Sequence, residues 1–334
     1  MKKTMIVAEI SANHGHSVEI AKNTIKAAKD AGADYIKLQT YTADTLTLDC
    51  DNEYFRINNG TLWDGTTFHK LYQEAYTPWE WHKELFDYAK SIGIGIFSTP
   101  FDNTAVDLLV ELDAPYMKIA SFEINHIPLI KYAASTGKPM IISTGVATLE
   151  DIEDAIKACK EVGNNDITLL QCTSEYPAKP EDANLIMIKD LKERFNVKSG
   201  LSDHTMGYLV SVAGVLMGAS VIEKHFILDR KIGGPDSSFS MTPDEFKEMV
   251  DNIRKVEKMI GEVNYEKRSK KSFKFKRSIF VSKDIKKGEK ISKDNIKIVR
   301  PSDGIVPKYY DEVIGKTVNK NLDFGMPLRF EDID

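Results

Sequence analysis

Gly200-Leu201-Ser202-Asp203-His204-Thr205 and Val221-Ile222-Glu223-Lys224-His225-Phe226 are the two stretches whose reading decides the fold. Each is a short apolar strand signal that closes in polar groups, and each closing burst contains a histidine. The segment between them, residues 207–219, reads as an apolar helix. Strand, helix, strand with a histidine ending each strand is how a parallel βαβ unit sets two imidazoles side by side.

Working outward, the same alternation runs from residue 5 to about residue 261. Strand signals fall at 5–11, 35–41, 95–100, 116–122, 139–144, 166–173, 197–204 and 221–226. Amphipathic stretches separate them, such as 20–31, 149–162 and 243–260. Thr242-Pro243-Asp244-Glu245 has an N-cap threonine, proline at the first helical position and acids in the first turn. Gly32, Gly93 and Gly137 stand where a left-handed residue closes a helix. Eight strands alternating with helices over about 250 residues is the count and length of a (β/α)8 TIM barrel. An open doubly wound sheet is the alternative, but no glycine-rich dinucleotide fingerprint follows the first strand. We expect the barrel over 1–262, a basic linker over 263–276, and a small second domain over 277–334.

The bulk numbers agree with an enzyme-sized globular chain. It has 334 residues, 42% apolar and 28% charged. The net charge of −5 argues against nucleic acid as a partner. No apolar run approaches the roughly 20 residues that span a membrane. Cys50, Cys159 and Cys172 are odd in number and scattered, which suits free thiols in a reducing cytoplasm. Cys172, within a strand, reads as a small core residue. The basic run from Glu266 to Lys276 reads as a solvated linker rather than a nucleic-acid patch.

One interval breaks the rhythm. Between the second strand and its helix, residues 42–77 form a connection far longer than the about 12–15 residues ordinary loops reach. It carries Tyr54, Phe55, Trp63, Phe68, Tyr72 and Tyr76. On a barrel it lies on the catalytic face, as a substrate wall or as a packed surface subdomain.

Almost every strand ends in polar groups: Glu9 with Asn13 and His14; Lys37 and Gln39; Ser98 and Thr99; Lys118, Ser121 and Glu123; Ser143 and Thr144; Gln171, Thr173 and Ser174; Ser202, Asp203 and His204; Glu223, Lys224 and His225. In a barrel these positions face the active site. Lys37 and Lys118, with the hydroxyls of Thr99, Ser121, Ser143 and Ser202, suit a phosphate or a phosphate-plus-carboxylate ligand. Lys224 has Glu223 or Asp203 as an alternative ion partner. His204 and His225, on adjacent strands about 4.8 Å apart, suit a divalent ion such as Mn2+, Co2+ or Fe2+, or a weakly held Mg2+, with open positions for a substrate oxygen. The same lysines also fit a Schiff-base pyruvate aldolase with Lys118 or Lys37 as nucleophile. A non-catalytic carbohydrate-binding protein is a third reading, which the completeness of the ring disfavours.

These residues together resemble a known family. Ala8-Glu9-Ile10-Ser11-Ala12-Asn13-His14, Ile36-Lys37-Leu38-Gln39-Thr40, Lys118-Ile119-Ala120-Ser121-Phe122-Glu123, Cys172-Thr173-Ser174-Glu175-Tyr176-Pro177 and Glu223-Lys224-His225-Phe226 look like the sialic acid synthases. The stretch from Arg277 to Asp334, with Lys286-Lys287-Gly288-Glu289 and Val299-Arg300-Pro301, resembles their SAF (antifreeze-like) domain. Leu62-Trp63-Asp64-Gly65 and Thr77-Pro78-Trp79-Glu80-Trp81-His82 look most like the pseudaminic acid branch, ahead of the N-acetylneuraminate and legionaminate branches.

The resemblance implies a nonulosonic acid synthase that condenses phosphoenolpyruvate with an N-acetylated amino sugar. It implies a divalent metal on His204 and His225, Mn2+ first, with Mg2+ or Co2+ as alternatives. Phosphoenolpyruvate would lie on Lys37, Thr99, Lys118, Ser121, Ser143 and Ser202, and the sugar on Glu123, Ser174 and Tyr176. Glu9, Gln39 and Asp236 would be the catalytic groups, with Glu9 or Asp236 as base. Arg300 would reach the sugar in another subunit's barrel, which implies a domain-swapped homodimer. Ser174 departs from the asparagine that sialic acid synthases often carry there.

Overall fold

Eight parallel strands close on themselves in sequence order in the computed structural model, which describes residues 3–58, 60–265 and 270–334. They are β1 (Met5–Glu9), β2 (Tyr35–Thr40), β3 (Gly95–Pro100), β4 (Met117–Ile119), β5 (Met140–Ser143), β6 (Ile167–Cys172), β7 (Lys198–Asp203) and β8 (Val221–His225). The closure, β1 pairing with both β2 and β8, rules out the open sheet. Every expected strand is present. β4 is shorter than the apolar run suggests, because Ser121–Glu123 leaves the sheet as a single 3-10 turn.

Helices surround the barrel, and their punctuation follows the sequence. Thr148 and Asp151 close a reciprocal capping box ahead of Leu149–Glu161, and Thr242 and Glu245 do the same for Pro243–Ile260. Such caps contribute about 1 kcal/mol each. Gly93 ends Trp79–Ile92 in the left-handed region, at φ 75°. The helices bury their apolar faces against the outward residues of the strands, including Ile6, Ala8, Ile36, Leu38, Ile119, Ile142, Leu169 and Ile222.

The barrel interior is plugged at the end where the strands begin. Val7, Phe97, Ile141, Leu170 and Val221 are buried there, with Tyr35 and Tyr116 packed against them. The rings of Tyr35, Phe97 and Tyr116 meet edge to face, with centroids 5.4–5.9 Å apart. Gly95 is required here: a Cβ on it would lie 2.2 Å from the Tyr35 ring.

Because both faces of a parallel sheet are buried, several strand-end residues expected in the ring face outward instead. Asp203 and Lys224 form a buried ion pair at 2.9 Å behind the barrel wall. Thr205 and Ser211 also donate to Asp203. Ser98 and Thr40 join the buried His82 under helix Trp79–Ile92. Gln171 and Thr173 donate to the carbonyls of Ala183 and Asp182, and Thr144 to that of Leu170. These groups hold the wall and are corrections to the expected ring.

The chain divides into two compact units, Met1–Gly261 and Glu262–Asp334. In the second, β9 (Ser278–Val281) pairs antiparallel with β10 (Ile296–Val299). Its own core includes Ile279, Val281, Ile285, Ile296, Val313, Val318 and Leu328. Of the basic run, residues 266–269 lie outside the described residues. No helix among the described residues is long and apolar enough to cross a membrane.

The Asp203–Lys224 pair gives a stability test. Breaking a buried pair from one side costs about 3–5 kcal/mol, whereas replacing both partners by apolar groups is often neutral. Asp203→Leu should therefore lower the urea midpoint sharply, and the double change with Lys224→Met should recover most of the loss. Equal losses in both variants would show that the pair is not what the wall depends on.

Candidate active site

Strand alternation turns the plug into a site one step later. Inward residues recur every second position. Two residues beyond Val7, Tyr35, Phe97, Tyr116, Ile141, Leu170 and Val221 stand Glu9, Lys37, Thr99, Lys118, Ser143, Cys172 and Glu223. An apolar layer is thus followed directly by a polar floor. On β7 Ser202 stands at the same level, and two residues further on three of the strands come Gln39, His204 and His225.

The floor holds two buried lysines and two buried glutamates. Lys37 Nζ is 2.6 Å from Glu9 Oε2 and 3.8 Å from Glu223 Oε1. It also donates to Thr99 Oγ1 at 3.3 Å. Gln39 Nε2 donates to Glu9 Oε1 at 3.0 Å. Lys118 Nζ donates to Ser143 Oγ at 2.7 Å and to the Ile119 carbonyl. Ser202 Oγ donates to Glu223 Oε1 at 3.0 Å. Side-chain exposure of 4% for Lys37 and 1% for Glu9 puts both charges out of reach of bulk water.

Burial and pairing pull on these groups in opposite senses. Burial pushes Glu9 up to about 7 in spite of the ammonium beside it. Burial also opposes the charge on Lys37, but Glu223 and Glu9 outweigh it and raise its pKa. Lys118 is lowered by burial, with Lys37 adding to the effect. For Glu223 burial is overcome by Lys118 and Lys37, which keep it ionised.

Above the floor sit the histidines. Their ring centroids are 5.5 Å apart. His204 Nδ1 is 2.8 Å from the Thr173 carbonyl. That bond places its proton on Nδ1 and leaves Nε2 with a free lone pair. Burial, with His204 nearby, holds His225 well below its usual value, so its ring is neutral. His225 Nδ1 is buried without a hydrogen-bond partner and lies 3.9 Å from Asp236 Oδ2. Burial opposes charge on His204, but Cys172, the Thr173 carbonyl and Glu223 outweigh it and raise its pKa. Two imidazoles side by side, one of them with a bare nitrogen, are donors that a borderline divalent ion takes once both are deprotonated. Among the described residues no three His, Cys, Asp or Glu side chains converge as a ready-made cage. The donor set therefore fits an ion that keeps positions for water and ligand oxygens.

Ser121, Ser174, Tyr176 and Glu123 follow the strand ends beside the floor and the histidines. Ser174 Oγ donates to Ser121 Oγ at 2.9 Å, and the Val146 amide donates to the same oxygen. Gly145 leaves this corner open: a Cβ there would lie 2.3 Å from Ser174 Oγ and 2.9 Å from Ser121 Oγ. Tyr176 lays its ring 4.4 Å from that of His204. Glu123 follows on the 3-10 turn, its Oε2 buried without a partner, and burial pushes its carboxyl up to about 7. Arg300 belongs to the second unit, exposed just beyond β10.

Three residues make contacts the sequence did not assign. Glu223 faces inward, as expected of the ring, and touches Ser202 and Lys37. Cys172 is buried as expected but faces inward, 3.8 Å from His204 Nδ1. Trp63 comes from the long 42–77 connection. Among mostly exposed residues its ring turns in to meet Tyr176, centroids 5.6 Å apart, and its Nε1 donates to the Pro235 carbonyl at 3.4 Å. Tyr72 of the same connection packs against Tyr41, and burial, with Glu123 nearby, pushes its hydroxyl up to about 12. Through Trp63 and Tyr72 the connection packs against residues that follow the strand ends.

Residues 24–265 match the NeuB family and residues 276–334 match the SAF domain. The pseudaminic acid synthase of Helicobacter pylori is 48% identical over 333 residues, covering 98% of this chain and 97% of that protein. The N,N'-diacetyllegionaminic acid synthase of Campylobacter jejuni is 39% identical over 328 residues, covering 96% and 97%. Among solved structures, a spore coat polysaccharide biosynthesis protein of Bacillus subtilis superposes with a TM-score of 0.67 at 33% identity, covering 99% of this chain and 95% of that one.

Glu123 gives the site a pH signature. Its folded pKa of about 7 exceeds its ordinary 4.5. The stability it contributes is full below about 4.5 and is lost as the pH rises through about 7. The thermal midpoint should therefore fall between pH 5 and pH 8, and Glu123→Gln, which cannot titrate, should shrink that fall. An unchanged fall in the variant would mean that Glu123 is ionised throughout.

Proposed function

The chain belongs to the NeuB family, and from that premise we propose that it catalyses the pseudaminic acid synthase reaction. It condenses phosphoenolpyruvate with 2,4-diacetamido-2,4,6-trideoxy-L-altrose to give a nine-carbon 2-keto acid and phosphate. The observation that carries this is the floor: two buried lysines among hydroxyls, beneath the paired rings of His204 and His225. The choice of sugar is supported by the stronger likeness to a pseudaminic than to a legionaminic acid synthase.

Lys37, Lys118, Thr99, Ser121, Ser143 and Ser202 hold the phosphate and carboxylate of phosphoenolpyruvate. Glu123, Ser174 and Tyr176 hold the sugar, and Trp63 behind Tyr176 excludes water from that side. A divalent ion, Mn2+ by first assignment with Mg2+ or Co2+ as alternatives, would be held by His204 and His225 and would supply Lewis-acid polarisation of the open-chain aldehyde. With the reactants so placed, C3 of phosphoenolpyruvate bonds to the aldehyde carbon, whose oxygen takes the carbonyl pair and a proton. Water then bonds to C2 and gives one proton to a carboxylate of the site, for which Glu9 and Asp236 are the candidates. The C2–O bond to phosphate breaks, phosphate departs with that oxygen, and the C2 hydroxyl loses its proton to become the ketone.

A phosphate-release assay with phosphoenolpyruvate and the three candidate sugars tests the reading. The 6-deoxy diacetamido altrose should be preferred. Preference for N-acetylmannosamine would overturn the choice of sugar, and a pyruvate adduct trapped by borohydride without phosphate release would overturn the reaction.

Arg300 completes the sugar pocket of a partner subunit in a domain-swapped homodimer. Arg300→Ala and His204→Ala should each abolish turnover, and added divalent ion should not rescue the latter. Mixing the two variants should restore up to about a quarter of wild-type activity, because half of the dimers are mixed and each mixed dimer has one complete site. No recovery on mixing would refute the swap.

A further inference from the structure

Glu223 is a carboxylate where an anion is expected to bind. It is 5% exposed and lies beside both lysines on the floor. Its charge repels phosphoenolpyruvate, so its presence asks for a compensating role. Neutralising Lys37 and Lys118 explains the charge but not the arrangement of its oxygens. Oε1 accepts from Ser202 Oγ at 3.0 Å and faces Lys37 Nζ at 3.8 Å. Oε2 is buried with no hydrogen-bond partner. A buried acceptor left bare costs about 1–3 kcal/mol, more for a charged group.

The other carboxylates are differently engaged. Glu9 receives Gln39 on Oε1, and its Oε2, although it accepts no hydrogen bond, lies 2.6 Å from the Lys37 ammonium, whereas among the described residues no cation is that near Oε2 of Glu223. Asp236 is held by Ser11 and the Ala12 amide. Glu123 also has a bare oxygen, but it stands on the turn after β4, whereas Ser202 and Glu223 are brought together on the floor strands β7 and β8. Oε2 of Glu223 is thus an acceptor on the floor awaiting a donor. Phosphoenolpyruvate brings carboxylate and phosphate oxygens, which are themselves acceptors. The reactant that brings O–H bonds and fits a buried gap is water.

We propose that Glu223, through Oε2, accepts a hydrogen bond from the water that adds to C2 of phosphoenolpyruvate and so aims its lone pair at that carbon. The assignment rests on the condensation reading above. Water held this way is oriented from the floor, while the proton it sheds goes to one of the carboxylates already named.

The test pairs steady-state kinetics with calorimetric binding of phosphoenolpyruvate to the full chain. Glu223→Gln keeps an oxygen for Ser202 and puts a donor where Oε2 was. It should bind phosphoenolpyruvate at least as tightly as the wild type, since a repulsive charge is gone, while kcat falls by about 10²-fold or more. Glu223→Asp, which keeps the acceptor on a shorter arm, should recover part of the rate and stands in should the glutamine variant misfold. Phosphoenolpyruvate binding that weakens in step with kcat, in either variant, would show that Glu223 only holds the lysines in place. A kcat within about 3-fold of wild type in the glutamine variant would also overturn the assignment. Should wild-type chain bind phosphoenolpyruvate yet release no phosphate with any of the sugars, the condensation reading itself fails.

Discussion

Two ammonium groups are held inside a barrel, away from bulk water, and the surrounding structure answers to that. An unpaired buried charge costs several kcal/mol even after relaxation. Lys37 is therefore met by Glu9 at 2.6 Å, and Glu223 lies where it stabilises both Lys37 and Lys118. Two lysines and two glutamates share the floor, so much of the positive charge is offset within it. Such a floor can exchange its internal partners for an incoming dianion without first stripping water from the lysines. Pre-arranged charge in a dry site is the condition under which electrostatic stabilisation is strongest.

The pairing depends in turn on alternation. Residues an even number apart on a strand share a face, so the plug at Val7, Tyr35, Phe97, Tyr116, Ile141, Leu170 and Val221 dictates which polar residues come next on the inside. The odd positions fall behind the wall, where they meet helices instead of ligand. This is why Asp203 and Lys224 form one ion pair outside the barrel while their neighbours Ser202 and Glu223 form a hydrogen bond inside it. One chain segment serves stability and chemistry on opposite faces.

The barrel was readable from strand and helix spacing, and the two histidines from their matched positions. The inward or outward sense of each strand-end residue was harder to read. In a parallel sheet both faces are buried, so hydrophobicity alone does not separate Ser98 from Thr99 or Asp203 from Ser202. Registering every strand to its plug residue would have done so. The inward turn of Trp63 had no such signal, since it depends on a contact with Tyr176, more than a hundred positions along the chain. Cys172 was legible as buried but not as a neighbour of His204, because a strand cysteine looks the same from either side.

The aromatic plug has a consequence for traffic. With Tyr35, Phe97 and Tyr116 interlocked at one end, the barrel is a blind well with a single mouth. Whatever rests on the lysine floor must pass the histidine tier on its way down. With phosphoenolpyruvate on the floor and the sugar at that tier, as proposed, the first must enter before the second, an order set by architecture before any difference in affinity is felt.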